Sequence, residues 1–235
     1  MWTVRSMRIV TYNTRGSLGM DGKRSTLRIA ETLRPVSPDV ICFQEIHQRL
    51  PWSGREDQPL VLGRQLNRRF LFQRNLQIGF GGYGIGIAVR GRVTNVRERL
   101  LTSGGEQRGV LEATIGGLPG FRRVVVFCTH WGLDVAERLR QAAEMAEAIR
   151  AAAAPVVVCG DLNEGPDGPA VIELIRATGL KDAGAENNSA TFVSNNPTSR
   201  IDFVLHSPDL CVESASVISS EASDHLPFVV DFRPC

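Results

Sequence analysis

Short apolar, β-branched runs alternate with amphipathic stretches along the whole chain. This alternation is typical of a layered α/β domain. Several consecutive runs are joined by tight turns, as at residues 115–119, which predicts antiparallel pairing and therefore mixed sheets. Strands are predicted at residues 8–13, 40–45, 71–77, 84–90, 93–100, 109–115, 123–131, 156–160, 201–205, 211–218 and 228–232.

Helical patterns fill four of the intervals between these strands. The predicted ranges are residues 24–34, 61–70, 134–153 and 169–178, with a polar loop at residues 51–59. Asp134 and Glu137 give the third helix a start that resembles a capping box, and its apolar positions share one face. Pro35 and Pro155 end the helices before them, and Gly179 is a typical C-terminal stop. We expect one domain over residues 1–235.

The composition places the chain among ordinary globular proteins. It has 235 residues, 43% of them hydrophobic and 22% charged, with a formal net charge of +2. These values exclude collagen-like, coiled-coil and disordered chains, and the longest apolar runs are too short to span a bilayer. Met1 to Arg8 lacks the apolar segment that export requires, so a cytoplasmic location is expected.

The cysteines and the basic residues add little chemistry by themselves. Five cysteines occur without a CxxC pair, which excludes zinc fingers and thioredoxin-like motifs. Cys42, Cys128 and Cys159 lie in apolar runs, where a thiol behaves as a small buried residue. The near-neutral charge does not indicate a nucleic-acid binder. Two arginine-rich stretches, residues 64–74 and 90–99, are interpreted first as solvated faces of a helix and a strand.

Polar residues collect where the predicted strands end. Each alone is explained by a turn, a cap or a solvated strand end, but Asp202 stands inside an apolar strand, where a carboxylate needs a partner. Strand ends are also where an α/β sheet presents its ligand site. We therefore expect these groups to converge. They are Asn13, Glu45, His130, Asp161, Asn163, Asp202, Asp224 and His225.

These residues belong to short motifs in a definite order. The motifs are Thr11-Tyr12-Asn13, Gln44-Glu45, Thr129-His130, Gly160-Asp161-Leu162-Asn163, Arg200-Ile201-Asp202-Phe203 and Ser223-Asp224-His225-Leu226-Pro227. From residue 8 to residue 232 the chain resembles the endonuclease/exonuclease/phosphatase superfamily, the DNase I-like metal-dependent phosphoesterases. The resemblance implies a four-layered α/β sandwich, in which two mixed β-sheets pack face to face with helices outside.

The resemblance also implies a divalent metal. It makes Glu45 the principal metal ligand, with Asn13 and Asp224 in or near the same shell. Carboxylate and amide oxygens suit Mg²⁺, and Mn²⁺ or Ca²⁺ are expected substitutes. Zinc is disfavoured because the set is rich in oxygen and shows no Cys/His ligand spacing.

Catalytic roles follow from the same resemblance. Asp161 corresponds to the residue that orients or deprotonates the attacking water, and Asn163 to one that positions the nucleophile or contacts the phosphate. His225 corresponds to a phosphate-contacting histidine paired with Asp202. A buried carboxylate fixes the imidazole tautomer and raises its pKa, which keeps the histidine cationic beside phosphate.

Three further residues are candidates for phosphate contact. His130 corresponds to a second histidine that donates to the phosphate or protonates the leaving group. Arg108 lies where family members carry a phosphate-contacting arginine, and Arg15 is close to Asn13. DNase I-like nucleases place an acidic partner for this histidine in the region of residues 83–87, where this chain offers only Tyr83 and apolar residues, so an acidic partner for His130 stays open.

The predicted activity is a metal-dependent phosphodiesterase or nuclease. The alternative is a lipid- or small-molecule-directed phosphodiesterase or phosphatase, similar to sphingomyelinases or inositol-phosphate phosphatases. A third possibility is a non-catalytic binding module that keeps the fold. Arg15 stands where abasic-site endonucleases carry an acidic residue, and His130 where they carry a tyrosine, which disfavours abasic-site repair. Partners are thus expected among phosphodiesters, either nucleic acid or small or lipid phosphoesters.

Overall fold

The strands and helices follow the predicted alternation closely. The computed structural model describes residues 6–235. Most of the segment from Met1 to Arg8, on which the expectation about export rests, lies outside the described residues. The strands are β1 (Met7–Asn13), β2 (Val40–Gln48), β3 (Arg69–Ile78), β4 (Gly81–Val89), β5 (Arg92–Leu100), β6 (Gly109–Leu118), β7 (Phe121–His130), β8 (Val156–Asp161), β9 (Lys181–Asp182), β10 (Asp202–His206), β11 (Leu210–Val217) and β12 (Phe228–Pro234). The helices are α1 (Thr26–Leu33), α2 (Gln58–Leu66), α3 (Val135–Arg150) and α4 (Pro169–Thr178).

The strands form two six-stranded mixed sheets. The first has the order β11-β12-β1-β2-β4-β3 and the second the order β5-β6-β7-β8-β10-β9. Each sheet holds one parallel pair near its centre, β1 with β2 and β7 with β8, and the other neighbouring strands pair antiparallel. The two sheets therefore share one plan, with a parallel pair flanked by antiparallel strands.

Three apolar clusters define four layers. One cluster lies between the sheets and includes Ile9, Ile87, Val126 and Val204. A second packs α3 and α4 on the outer face of the second sheet, and a third packs α1 and α2 on the outer face of the first. Since a sheet must bury its apolar faces against other elements, this arrangement gives the α/β sandwich that the sequence predicts. None of the helices in residues 6–235 has the length and apolar character needed to span a bilayer.

Two predicted boundaries are wrong for local reasons. The second helix begins at Gln58, within the predicted loop, because Asp57 caps it by accepting from the Leu60 amide and Pro59 is compatible with the first helical turn. It ends at Leu66, where Asn67 turns into the left-handed region, and the following residues open β3.

The second strand does not stop at Glu45, as its apolar run suggests. It continues to Gln48 across a bulge, with Phe43 opposite Gly86 and Ile46 opposite Gly84. The bulge places two residues against one and holds Glu45 at a φ of 57°. Positive φ is uncommon for a residue with a Cβ, and such strain collects at functional sites.

The N-terminal cap of α3 provides a test of the capping analysis. Asp134 Oδ1 accepts from the Glu137 amide at 2.9 Å, as the sequence predicts. Replacing Asp134 with alanine removes this acceptor and is expected to cost about 1 kcal/mol of unfolding free energy, or about 2 to 4 °C in Tm. Thermal denaturation followed by circular dichroism measures the change. The matched variant Asp134→Asn keeps a side-chain oxygen and should melt like the wild type; equal melting of the alanine variant would contradict the assignment.

The cysteines divide into two groups. Cys42, Cys128 and Cys159 are buried between the sheets, as expected from their apolar runs. Cys211 and Cys235 form a disulfide with a Cα–Cα distance of 5.1 Å, which ties β11 to the end of β12. Cysteine connectivity cannot be deduced from spacing alone, so the sequence pattern does not predict this pair.

Candidate active site

The sheet topology brings the predicted polar residues to one end of the sandwich. Parallel strands present their carboxyl ends at the same edge, so Asn13 at the end of β1 lies beside Gln44 of β2, and His130 at the end of β7 lies beside Asp161 of β8. Asp202 opens the antiparallel strand β10 opposite Asp161. Because both sheets end here, groups distant in sequence come into contact.

Asp161 lies at the centre of this cluster. It is 1% exposed, and its Oδ2 accepts a hydrogen bond from Asn13 Nδ2 at 2.9 Å. The same amide nitrogen donates to Glu45 Oε1 at 3.0 Å. Asp161 Oδ1 accepts from the backbone amide of Asn163 at 2.9 Å. The Asn13 amide thus links the two carboxylates, one from each sheet.

Asn13 presents its nitrogen, and not its oxygen, to the carboxylates. Its Oδ1 accepts from the Arg15 backbone amide at 3.0 Å. A metal ligand would have to use this oxygen, since an amide nitrogen has no lone pair to offer. In the observed orientation, Asn13 positions Glu45 and Asp161 relative to each other.

His225 and Asp202 form a buried pair on the other side of Asp161. Asp202 Oδ2 lies 2.9 Å from His225 Nδ1, and His225 Nε2 lies 3.6 Å from Asp161 Oδ2. Burial opposes a charge on His225, but Asp202, Asp161 and Asp224 outweigh it and raise its pKa to about 10. His225 is therefore an imidazolium at neutral pH. The other oxygen of Asp202 is buried and finds no hydrogen-bond partner among residues 6–235.

His130 has the opposite electrostatic environment. Burial, the Arg108 guanidinium and His225 together hold its pKa well below the usual value. Arg108 Nη1 lies 3.0 Å from His130 Nδ1, and Asn163 Nδ2 lies 3.1 Å from His130 Nε2. The His130 imidazole thus has the Arg108 guanidinium as a neighbour. The imidazole is neutral at physiological pH.

Arg108 is held inward by Glu106, which carried no signal in the sequence. Arg108 Nη1 donates to Glu106 Oε1 at 2.6 Å, and the Arg108 side chain is 8% exposed. Its Nε is buried and has no hydrogen-bond partner in the described part of the chain. Tyr83 lies close to Glu45, Glu106 and Arg108, and burial raises the pKa of its phenol far above the usual value. A tyrosine and an arginine thus fill the region where the resemblance suggested a carboxylate.

Asp224 and Arg15 lie at the rim of the cluster. Arg15 Nε is 3.2 Å from Asp224 Oδ2, so these two predicted binding residues form an ion pair. The loop that carries Asp224 is fixed to β1, because Ser223 Oγ donates to the Asn13 carbonyl at 2.8 Å. The ring of Phe192, which carried no signal in the sequence, packs 4.8 Å from the ring of His225.

Burial and neighbouring negative charges also raise the pKa values of the carboxylates in the cluster. Burial, and then the neighbouring charge of Asp202, raise the pKa of Asp161 to about 7. Burial raises the pKa of Glu45 as well, with the Asn13 hydrogen bond acting against it and Asp224 and Glu106 adding to the rise. The pKa shifts within this cluster thus run in both directions, since the pKa values of Asp161, Glu45 and His225 are raised and that of His130 is lowered.

One group of possible ligand atoms lies close together. Carboxylate and imidazole atoms of Asp161, Asp202 and His225 lie within 4.8 Å of one another. His225 lies between the two carboxylates, so the three side chains form one buried charged group.

Comparison with known proteins agrees with this geometry. The model of the Endonuclease/Exonuclease/phosphatase family matches residues 10–225, which include every residue of the cluster. The chain belongs to this family. Its relatives in the family include the uncharacterized protein YbhP of Escherichia coli (strain K12), which is 28% identical over 171 residues, or 68% of this chain and 67% of YbhP.

Solved structures of the family share the sandwich. The endonuclease/exonuclease/phosphatase from Beutenbergia cavernae DSM 12333 superposes with a TM-score of 0.86 and 24% identity, covering 98% of this chain and 72% of that chain. The human Nocturnin catalytic domain, solved with a bound sulfate anion, superposes with a TM-score of 0.79 and 19% identity, covering 98% and 95% of the two chains. At these identities, the likeness establishes the fold.

Proposed function

We propose that this chain is a divalent-metal-dependent phosphodiesterase that cleaves P–O bonds by in-line attack of water. The observation that carries the proposal is the buried Asp161, which faces the cation His225, the neutral His130 and the linking amide of Asn13 within 3.6 Å. Burying these charged and polar groups costs free energy, which supports a functional role for the cluster. Membership of the family supports phosphoester hydrolysis as that role.

The donor set fits a hard divalent cation. Glu45 and Asp224 are oxygen donors, and the charge of Asp224 adds to the rise in the pKa of Glu45, which a cation beside them would relieve. We assign Glu45 as the principal ligand of Mg²⁺, with Mn²⁺ or Ca²⁺ as substitutes. When bound, the ion neutralises charge on the phosphate and acidifies coordinated water.

Four protein side chains are assigned to proton transfer and to binding of the phosphate and the leaving oxygen. Asp161, with a pKa of about 7, is matched to accept a proton from the attacking water near neutral pH. The imidazolium of His225 donates to a phosphate oxygen and stabilises developing negative charge. His130 is neutral and so is assigned as a hydrogen-bond donor to the leaving oxygen. We assign Arg108, whose buried Nε has no hydrogen-bond partner within residues 6–235, to pair with the phosphate.

The proposal is tested by metal-dependent hydrolysis across several substrate classes. The protein is treated with EDTA, dialysed and assayed with and without Mg²⁺ on bis-p-nitrophenyl phosphate, p-nitrophenyl phosphate, supercoiled plasmid, single-stranded RNA, and choline and inositol phospholipids. We expect Mg²⁺ to restore diester cleavage, because the charge on the phosphate must be neutralised before water attacks. Preference for the monoester would favour a phosphatase. Metal binding without turnover on any substrate would favour a binding module.

A further inference from the structure

A second basic site lies on the outer face of the first sheet. A groove of about 920 Å³ runs between α2 and the edge strand β3. Its lining contains a single carboxylate, Asp57, and two aromatic rings, Phe70 and Phe72. We refer to it as the arginine groove, after the five arginines that line it: Arg49, Arg64, Arg68, Arg69 and Arg90.

Three of these arginines are used by the fold. Arg49 Nε lies 3.1 Å from Asp57 Oδ2, and Arg90 Nη1 lies 3.6 Å from Asp39 Oδ1. Arg68 donates to the carbonyls of Leu66 and Asn67 at the end of α2. These contacts hold the walls of the groove in place.

Arg64 and Arg69 differ from these three arginines. Both side chains are exposed, and neither makes a hydrogen bond or ion pair with any residue in the range 6–235. Two guanidinium groups in one basic groove create a local positive potential that the net charge of +2 conceals. Guanidinium groups match phosphate oxygens in geometry and pair with them in bidentate fashion.

The shape of the site selects among polyanions. Arg64, Arg68 and Arg69 lie on α2, in the turn after it and at the start of β3, so an extended polyanionic chain can follow them. Phe72 on β3 lines the groove and is half-buried, so part of its side chain is available for a base to stack on. The nine residues of α2 extend about 13 Å, which corresponds to about four nucleotides at 3.4 Å each.

We propose that the arginine groove binds single-stranded nucleic acid through Arg64 and Arg69, as a site separate from the catalytic cluster. One end of the groove lies at Gln48 and Arg49, three and four residues beyond Glu45. That separation is about 10 to 13 Å along a strand, so a strand in the groove passes beside the catalytic cluster without filling it. Binding requires neither metal nor hydrolysis, and the inference therefore extends beyond the proposed function.

The test measures binding of a fluorescein-labelled 20-nucleotide oligodeoxythymidylate by anisotropy in EDTA, over a range of salt concentrations. The variant Arg64→Gln with Arg69→Gln removes two phosphate contacts. For single strands, log K falls by about 0.7 per contact and decade of salt. We therefore expect the salt slope to decrease by about 1.4 and the affinity at 0.1 M salt to fall about 25-fold. Hydrolysis of bis-p-nitrophenyl phosphate should not change, because this small diester does not occupy the groove.

A matched variant, Arg140→Gln with Arg150→Gln, removes the same charge from exposed positions of α3 on the other sheet. It should bind the oligonucleotide like the wild type. Equal affinity and equal slope for the groove variant would overturn the proposal. So would absence of oligonucleotide binding by the wild type, or loss in the groove variant of binding to phosphatidylserine vesicles alone, which would assign the groove to an anionic membrane.

Discussion

Replacing Glu45 with glutamine is expected to lower kcat/KM for bis-p-nitrophenyl phosphate by about 10³-fold, because a Lewis-acid metal contributes several kcal/mol to the transition state. The substitution keeps the size of the side chain and the contact with Asn13. It removes the charge that we assign to holding Mg²⁺. Steady-state kinetics at saturating Mg²⁺ and at a series of lower concentrations measures the effect.

A second readout separates loss of metal from loss of structure. At a Mg²⁺ concentration 100 times its Kd, the wild type should gain about 2.7 kcal/mol of stability by mass action, or roughly 5 to 11 °C in Tm. The glutamine variant should lose most of this gain while remaining folded in EDTA. Glu31→Gln, at an exposed position of α1, is the matched control. A variant at Glu45 that kept both wild-type turnover and the Mg²⁺-induced gain would refute the assignment of this ligand.

The convergence of the polar residues follows from simple properties of strands. Asn13 and His130 each end a strand of a parallel pair, and parallel strands end at a common edge. Asp202 interrupts an apolar run, and the low polarity around it requires a partner such as His225. These features are local in sequence, or follow from burial, so the sequence predicts them.

Other features depend on contacts between distant residues, which the sequence pattern does not carry. The bulge at Glu45 arises from the register of β2 against β4, and its apolar run gives no sign of the extra residue. The orientation of the Asn13 amide depends on the backbone amide of Arg15 on one side and Asp161 on the other. The guanidinium of Arg108 beside His130 depends on Glu106 and on the pairing of β6 with β7.

The start of α2 shows a different kind of error. Pro59 and the polar residues before it are typical of a loop, but Asp57 and Pro59 are also residues that begin a helix. The disulfide between Cys211 and Cys235 is a further long-range contact.

The electrostatic balance around His225 leads to the second large prediction. Replacing Asp202 with asparagine removes the strongest of the charges that keep this imidazole protonated. We expect kcat/KM at pH 8 to fall by about 10³ to 10⁴, as when the carboxylate that orients a catalytic histidine is neutralised. The alkaline limb of the pH–rate profile, near pH 10 in the wild type, should move toward the ordinary histidine value of about 6.5. Asp209→Asn, an exposed change in the turn after β10, should leave the profile unaltered.

The pH dependence of stability in EDTA should also depend on the charge of His225, and its measurement requires no catalytic assay. The folded-state pKa of His225 is raised to about 10 from an unfolded value of about 6.5. Its contribution is therefore complete below pH 6.5 and is lost as the pH rises through 10. Asp161, with its pKa raised to about 7, loses its own contribution between about pH 4 and 7. Burial raises the pKa of the Cys42 thiol, which adds a loss of stability at alkaline pH that the wild type and the Asp202→Asn variant share, so the difference between the two proteins from pH 7.5 to 10 reports on His225. Over this interval the Tm of the wild type should fall faster than that of the Asp202→Asn variant. Parallel curves would show that Asp202 does not hold the proton on His225.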